Sequence, residues 1–320
     1  MRRTVLKTLA VVSTAVFANR SHSQSSRTIR IVVPFAAGGV QDILARSINA
    51  ELSQALGSPV IVENRAGAGG TVGTASVARA AADGTTYSMS AASHTIAGSL
   101  YSKLNYHPIK DFTAAAYMGT ASYVLMINGD VPARTTAEFI AYVKASPGKY
   151  NYASAGNGSA THLAMAYFAG LAGLDMVHLP MKATGEAVNE VLAGRAQAVI
   201  SANTGALPFA KDNRVRLLAT TGPQRSRFLP DLPTVAQSGL PGYEYDSWFG
   251  LLAPAGTAKA ELDRINAAVA KVFSDANVQE RLARQGVEPA LMSIDEFNRL
   301  LVSDFEKMAK VVKTSGARID

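Results

Sequence analysis

The chain has 320 residues, of which 48% are apolar and 17% are charged, and its formal net charge at pH 7 is +7. At roughly 150 residues per domain, this length indicates about two domains. No apolar run reaches the ~18 residues that indicate a membrane-spanning helix, which excludes a multi-spanning membrane protein. Cysteine is absent, which excludes disulfide scaffolds, thiol catalysis, iron–sulfur clusters and thiolate zinc sites.

The N-terminal segment is typical of a secretory signal peptide. Basic residues come first, as Arg2, Arg3 and Lys7, and an apolar stretch of 11 residues follows at Thr8–Ala18. That stretch is too short to span a membrane and ends in a small-residue cleavage pattern. We therefore expect residues 1–18 to be removed and the mature protein to be periplasmic, exported by the general secretory or the twin-arginine route.

Without the signal peptide the chain keeps only a mild basic excess. Loss of Arg2, Arg3 and Lys7 lowers the net charge from +7 to +4, and no cluster of five Lys or Arg residues is present. This composition argues against a nucleic-acid partner. Residues 19–27 are polar and Ser-rich, and they predict a disordered lead-in.

Short β-branched or apolar runs then alternate with helical patterns along the chain. After the first strand, Leu44, Ile48, Leu52 and Leu56 recur every four residues and predict one face of an amphipathic helix. This alternation predicts an α/β protein whose sheets are mostly parallel. The predicted strands are Ile29–Phe35, Val60–Val62, Tyr87–Ser90, Tyr123–Ile127, Tyr150–Ser154, Met176–Leu179, Ala196–Ile200 and Arg216–Thr220.

The C-terminal part changes to a purely helical pattern. Ser293 and Glu296 have the spacing of a capping box, which predicts the start of a long last helix. Phe297, Leu301 and Phe305 lie on one face of that helix. Such an apolar face must pack on an earlier part of the chain.

Several Gly-rich turns follow a predicted strand and precede a predicted helix. A strand-to-helix turn leaves backbone N–H groups free at the positive end of the helix dipole, where an anion binds readily. For any one of these turns, ending a strand or helix is the better interpretation, but several together favour a binding site for an anionic ligand. The turns are Ala36–Asp42, Ala66–Thr71, Ser154–His162 and Ala183–Ala187.

Known catalytic and metal-binding motifs are missing from the sequence. Gly67–Gly73 departs by one place from the dinucleotide pattern, and neither a phosphate-binding P-loop nor a G-x-S-x-G nucleophile motif is present. The histidines lack metal-ligand spacing. We therefore expect no cofactor, no metal and no enzymatic activity. Ser159 and His162 leave an exported serine hydrolase open as an alternative.

One segment carries a family resemblance. The pattern P-F-x-x-G-G-x-x-D-x-x-A-R is complete at Pro34–Arg46, and it resembles the first ligand loop of the Bug-type periplasmic receptors of tripartite tricarboxylate transporters. The resemblance covers nearly the whole mature chain in order. The further matching segments are Val62–Gly70, Lys110–Phe112, Ser154–Ser159 with His162 and Leu163, Leu229–Thr234, Gly239–Tyr243 and Trp248–Thr257.

The resemblance implies a two-lobed, flytrap-like periplasmic binding protein, type II-like, with each lobe a mostly parallel sheet flanked by helices. Residues 28–126 together with 247–320 would form lobe 1, and residues 127–246 would form lobe 2. The ligand would be a small organic carboxylate (a di- or tricarboxylate, an aromatic carboxylate, an amino acid or an amide). The receptor, a monomer, would deliver it to large and small membrane subunits; an alternative role is sensing for a signalling partner.

The resemblance also implies a set of ligand-binding residues. They lie in the first Gly-Gly loop, in the loop before Ser159 and in two further loops. The residues are Phe35, Ala36, Gly38, Gly39, Asp42, Ser93, His94, Gly156, Asn157, Gly158, Ser159, His162 and Thr184. Glu186 departs from the family pattern; if it faces the ligand, it disfavours a second carboxylate and favours an amino or amide group, and otherwise it is a solvated first-turn residue. Trp248 is expected in the core.

Overall fold

The computed structural model describes residues 27–315. The predicted signal peptide, residues 1–18, lies outside this range, as do the lead-in at 19–27 apart from Arg27 and residues 316–320 of the predicted lobe 1. Within the described part, no helix is both long and apolar enough to cross a membrane.

Nine strands of the described chain form one continuous mixed sheet with helices packed against it. The predicted α/β class is confirmed. The strands are β1 (Ile29–Val33), β2 (Val60–Asn64), β3 (Thr86–Ala91), β4 (Phe112–Asn128), β5 (Asn151–Ser154), β6 (Val177–Pro180), β7 (Ala198–Ala202), β8 (Val215–Thr220) and β9 (Asp246–Pro254).

The sheet runs in the order β2-β1-β3-β9-β4-β7-β5-β6, with β8 also paired to β4. The outer pairs, β1 with β2 and β3 and β5 with β6 and β7, are parallel as expected. Every antiparallel pair in residues 27–315 involves β4 or β9. The sheet is therefore less parallel than the sequence predicts, because these two strands join its halves.

Strand β4 belongs to both halves of the sheet. Its residues Phe112–Ser122 pair with β9, whereas Tyr123–Asn128 pair with β7 and β8. The sequence analysis missed β9 and the first part of β4. Ala114, Ala115 and Ala116 are buried small residues with no alternating pattern, and Ala is depleted in strands, so this stretch carries little strand signal.

The helices cover both faces of the sheet. They are α1 (Val40–Ser47), α2 (Asn49–Leu56), α3 (Thr71–Ala78), α4 (Ser93–Leu100), α5 (Thr136–Lys144), α6 (Ala160–Ala172), α7 (Thr184–Leu192), α8 (Asn203–Ala206), α9 (Lys259–Phe273), α10 (Ala276–Arg284) and α11 (Ile294–Ser315), with short 3-10 turns at Ala68–Gly70 and Leu207–Phe209. The predicted amphipathic helix of Leu44 to Leu56 is two helices, broken at Ile48, and its four periodic residues are all buried.

The last helix, α11, connects distant parts of the fold. Its predicted capping box is confirmed, since the Ser293 hydroxyl accepts from the Glu296 N–H and the Glu296 carboxylate accepts from the Ser293 N–H. The helix packs against α4, α6 and β4. Phe297 and Met308 of its apolar face are fully buried, and Phe305 is half-buried.

A buried carboxylate fixes α11 to the rest of the chain. Asp304 is 3% exposed and accepts hydrogen bonds from the Thr95 hydroxyl of α4 at 2.6 Å and from the Trp248 indole N–H of β9 at 2.8 Å. The ammonium of Lys307 lies 3.8 Å from the other oxygen of Asp304. This one side chain therefore ties three elements together.

We predict that Asp304→Ala lowers the free energy of unfolding by about 3 kcal/mol, because two buried donors lose their acceptor. Urea unfolding at pH 7 measures this change. Glu306→Ala is the matched control, since Glu306 is an exposed acid on the same helix, and it should cost less than about 0.5 kcal/mol. Equal losses in both variants would contradict the role of Asp304.

Candidate functional site

A cavity of about 450 Å³, here called the central cavity, lies between the two halves of the sheet. Segments that follow β1 and β3 form one wall, and the loop before α6 and the start of β9 form the others. The lining residues are Phe35, Val40, Gln41, Gly69, Ala91, Ala92, Ser93, Ile96, Ala97, Leu100, Tyr101, Tyr123, Asn157, Gly158, Ser159, Ala160, Tyr245, Asp246, Ser247 and Phe249.

Three helices present their N-terminal ends to the central cavity. Val40 and Gln41 begin α1, Ser93 begins α4, and Ala160 begins α6, and all four residues line the cavity. The first N–H groups of a helix have no partner within the helix and lie at the positive end of its dipole. No Lys or Arg is among the lining residues of the described chain. The cavity can therefore hold an anion with uncharged donors.

The first Gly-Gly loop is held in place by Asp42. The Asp42 carboxylate accepts from the Gly38 N–H at 2.9 Å and from the Arg46 guanidinium at 2.8 Å. Arg46 also donates to the Asn64 side chain, which donates to the carbonyl oxygen of Phe35. Burial acts to raise the pKa of Asp42, but these hydrogen bonds outweigh it and hold the pKa below its usual value.

Asp42 is 3% exposed and does not line the central cavity, so its carboxylate is used within its own loop. This placement shows that Asp42 positions the loop, and its direct contact with ligand stays a prediction. Ala36, Gly38 and Gly39 also lie outside the lining, whereas Phe35 is part of it.

The second predicted loop reaches the central cavity through Asn157, Gly158 and Ser159. Gly156 and Gly158 have φ values of +109° and +71°, a conformation that favours glycine, and they turn the chain sharply into α6. The Ser159 hydroxyl caps α6 by accepting the His162 N–H at 3.2 Å. Gly156 itself lies outside the lining.

The arrangement of Ser159 and His162 does not fit a hydrolase. The Nδ1 atom of His162 accepts from the Gly158 N–H at 3.1 Å, and the Ser159 hydroxyl is engaged with the backbone of His162 and with the Thr161 hydroxyl. The imidazole is thus bonded to the loop backbone. A nucleophile needs a hydrogen bond to the ring of its base, and this pair lacks one.

His162 supports the loop from behind as part of an aromatic stack. Its ring lies 4.1 Å from that of His178, which in turn stacks on Tyr152 at 4.9 Å. Burial lowers the pKa of His162, and burial together with His162 lowers the pKa of His178 to about 4. Both rings are therefore neutral at pH 7, and His162 acts as a hydrogen-bond acceptor for the loop.

His94 is buried behind the wall of the central cavity. It is 4% exposed, and its Nε2 atom donates to the carbonyl oxygen of Pro108 at 2.8 Å. Its Nδ1 atom has no hydrogen-bond partner in residues 27–315. Burial lowers its pKa to about 4. His94 lines a small cavity together with Phe35 and Ser93 and lies outside the lining of the central cavity, so its direct contact with ligand stays a prediction.

The third predicted loop does not reach the cavity. Thr184 is the first residue of α7 and lies outside the lining. Glu186 is exposed, and its carboxylate accepts from the Lys182 N–H at 3.1 Å at the start of the same helix. Of the two alternatives given for Glu186, facing the ligand or being a solvated first-turn residue, the second therefore applies. Trp248 is 3% exposed and lies in the core, as predicted.

Sequence reasoning missed the lining residues from β4, from β9 and from the second half of α4. Tyr123, Tyr245 and Asp246 reach the cavity only because β4 and β9 meet there. Tyr245 and Asp246 lie just before Trp248–Thr257, a segment that carries the family resemblance, and this position is the signal that could have identified them. Gly69 lies in a turn that the sequence did single out.

Asp246 brings a negative group to the cavity wall. Burial raises its pKa to about 6; Lys307 acts to lower it, and Glu244 and Asp304 act to raise it. The carboxylate is therefore ionised at pH 7 but poorly solvated.

Comparison with known proteins matches residues 44–317 to the model of the tripartite tricarboxylate transporter family receptor. The chain belongs to this receptor family. It is 32% identical to protein BugT of Bordetella pertussis, over 92% of this chain and 91% of BugT. The resemblance to Bug-type receptors is confirmed.

Solved structures of similar proteins agree with the fold. MatC from Rhodopseudomonas palustris with bound malate is 32% identical with a TM-score of 0.72, over 89% of this chain and 99% of MatC. The R. palustris protein Rpa4515 with adipate is 30% identical with a TM-score of 0.76, over 92% and 100% of the two chains. The predicted two-lobed α/β fold is confirmed.

We predict that His94 makes the receptor less stable in acid. Its pKa in the folded chain is about 4, against the usual 6.5, so below pH 6.5 the unfolded chain binds a proton that the folded chain does not. Between pH 7 and pH 5 the wild type should lose about 2 kcal/mol more stability than His94→Gln. Urea unfolding of both proteins at both pH values measures this difference, and equal losses would contradict the prediction.

Proposed function

We propose that the protein is an exported solute-binding receptor that captures a small organic carboxylate in the central cavity, without catalysis. One observation carries this proposal: the first turns of α1, α4 and α6 meet on one cavity with no Lys or Arg in its lining. Backbone N–H groups at helix ends hold a carboxylate without the large desolvation cost of a buried guanidinium.

The known ligands of two relatives support the carboxylate class. One of these structures contains adipate and the other contains bound malate, and both compounds are small dicarboxylates. A cavity of about 450 Å³ lies within the ~300–1,000 Å³ range of ligand pockets. Phe35, Ser93 and Ser159 are the proposed contacts that the sequence analysis and the cavity have in common, together with Asn157 and Gly158.

The two proposed lobes are residues 28–126 with 247–320, and residues 127–246. The pairing of β4 supports this division, because its partner changes between Ser122 and Tyr123, just before the proposed boundary. Helix α4 would then belong to one lobe and α6 to the other. A ligand that contacts both helix ends favours the closed arrangement of the lobes, since only that arrangement offers both contacts.

The family supports the proposed partners and location. In this proposal the monomeric receptor works in the periplasm and passes its ligand to the large and small membrane subunits of a tripartite transporter. Sensing for a signalling partner differs from transport only in the protein that receives the loaded form.

We predict that a carboxylate ligand raises the melting temperature of the mature protein by several degrees. A ligand at 100 times its dissociation constant adds about 2.7 kcal/mol of stability. A thermal-shift screen of mono-, di- and tricarboxylates, aromatic carboxylates, amino acids and amides measures this. No shift with any of them, for a folded protein, would contradict the carboxylate class.

We predict that Ser159→Ala weakens ligand binding about fivefold, the effect of one lost hydrogen bond. Titration calorimetry with the screened ligand measures the affinity. Thr135→Ala is the matched control, because Thr135 caps α5 in the same way but lies away from the cavity. Both variants should lose about 1 kcal/mol of stability, and only Ser159→Ala should bind more weakly. Unchanged affinity in Ser159→Ala would contradict its contact with ligand.

A further inference from the structure

Asp246 is the one charged residue in the lining of the central cavity, as far as residues 27–315 define it. It starts β9 and is opposite Ser122 of β4 in the register. Its carboxylate makes no hydrogen bond to another side chain and no ion pair within the described chain. Asp246 is half-buried, and a poorly solvated carboxylate without an ion-pair partner is costly, so its presence in a ligand cavity requires an explanation.

The nearby Lys307 offsets the negative charge of Asp246 only in part. Lys307 is the nearby cation, and it is already engaged with Glu244 at 3.3 Å and with Asp304 at 3.8 Å. Lys307 therefore already interacts with two acidic residues other than Asp246. The electrostatic environment at this end of the cavity is negative.

Tyr245, the neighbouring residue, is a second unpartnered polar group at the same place. It is 2% exposed, it belongs to the cavity lining, and its hydroxyl has no hydrogen-bond partner among the described residues. Burial and the nearby tyrosines and acids hold the pKa of Tyr245 far above its usual value, so it stays protonated. The Tyr245 hydroxyl is buried away from the cavity space, so the ionised carboxylate of Asp246 is the polar group that a ligand can reach here.

The cavity thus has two kinds of wall. The N-terminal ends of α4 and α6 attract an anion, and Asp246 attracts a cation. A bound dicarboxylate would bring two negative charges into the cavity, and only one of them could lie at the helix ends. The other would share the cavity with the carboxylate of Asp246, which has no ion-pair partner in the described chain. A ligand with one carboxylate and one ammonium group leaves no charge of the cavity unpaired.

We propose that Asp246 determines the specificity of the cavity and that the ligand is a small carboxylate that also carries a protonated amino group, which pairs with Asp246. This inference rests on the proposed receptor function and narrows its ligand class. Glu186, the acid that the sequence singled out for such a role, is exposed and outside the lining. Asp246, at the start of β9, is instead the negative group that favours an amino group on the ligand.

The test compares four probes of matched shape by titration calorimetry at pH 7.5, where Asp246 is ionised. Adipate and 5-aminopentanoate differ in one end group, a carboxylate or an ammonium. Pentanoate and L-norvaline differ in one amino group next to the carboxylate. At least one of the two aminocarboxylates should bind wild type about tenfold or more tightly than both adipate and pentanoate, because charge-assisted hydrogen bonds are the strong ones.

Asp246→Asn should weaken binding of that aminocarboxylate about tenfold and strengthen binding of adipate. Loss of a poorly solvated charge should not impair folding, which the melting temperature checks. Glu244→Gln is the matched control: it removes the same charge beside Lys307 but not from the cavity lining, and it should change each affinity less than threefold.

The outcomes separate the two proposals. Adipate bound more tightly than both aminocarboxylates by the wild type, or affinities equal in wild type and Asp246→Asn, would overturn the role of Asp246 and leave the receptor function standing. The order of the probe affinities is measured on the wild type alone, so it tests the role of Asp246 even where Asp246→Asn fails to fold. Failure of all four probes and of the wider carboxylate screen to bind a folded protein would overturn both proposals.

Discussion

The antiparallel pairing of β4 with β9 joins the two halves of the sheet, and the position of the central cavity depends on it. In its last part, β4 pairs with β7 and β8 and no longer with β9. The residues near this change of partner include Tyr123, Tyr245 and Asp246, which form part of the cavity wall. A one-residue slip in the register would turn the side chain of Asp246 to the other face of the sheet. A backbone pairing thus decides whether the cavity contains a negative charge.

The electrostatics of the cavity follow from the same geometry. Three helices begin at its wall, each with a partial positive charge of up to about half a unit, and the start of β9 adds one full negative charge. The helix ends are fixed in direction by the sheet on which the helices pack. Because the sheet sets the direction of each helix end within its own half of the fold, these groups are oriented before the ligand binds, which lowers the cost of binding.

Local features of this fold could be predicted from the sequence, and long-range ones could not. The turns around Phe35 and Gly158 were found because glycines between a strand and a helix are a local signal. The sequence predicted ligand contacts for Asp42 and His94, but a local motif does not show that both side chains bond within the protein and lie outside the lining of the central cavity. Asp246 was missed because its position depends on strand pairing between segments that lie far apart in the chain.

Helix α11 contacts both proposed lobes. Asp304 bonds to Thr95 and Trp248, both in the proposed lobe 1, and these bonds are buried and directional. Toward the proposed lobe 2, α11 packs against α6 and forms the partly exposed ion pair of Lys307 with Glu244, a kind of contact worth little energy. The helix therefore contacts both proposed lobes, with its buried hydrogen bonds in lobe 1 and its packing on α6 in lobe 2, so contacts of the ligand with both lobes add to those of α11 in the closed state.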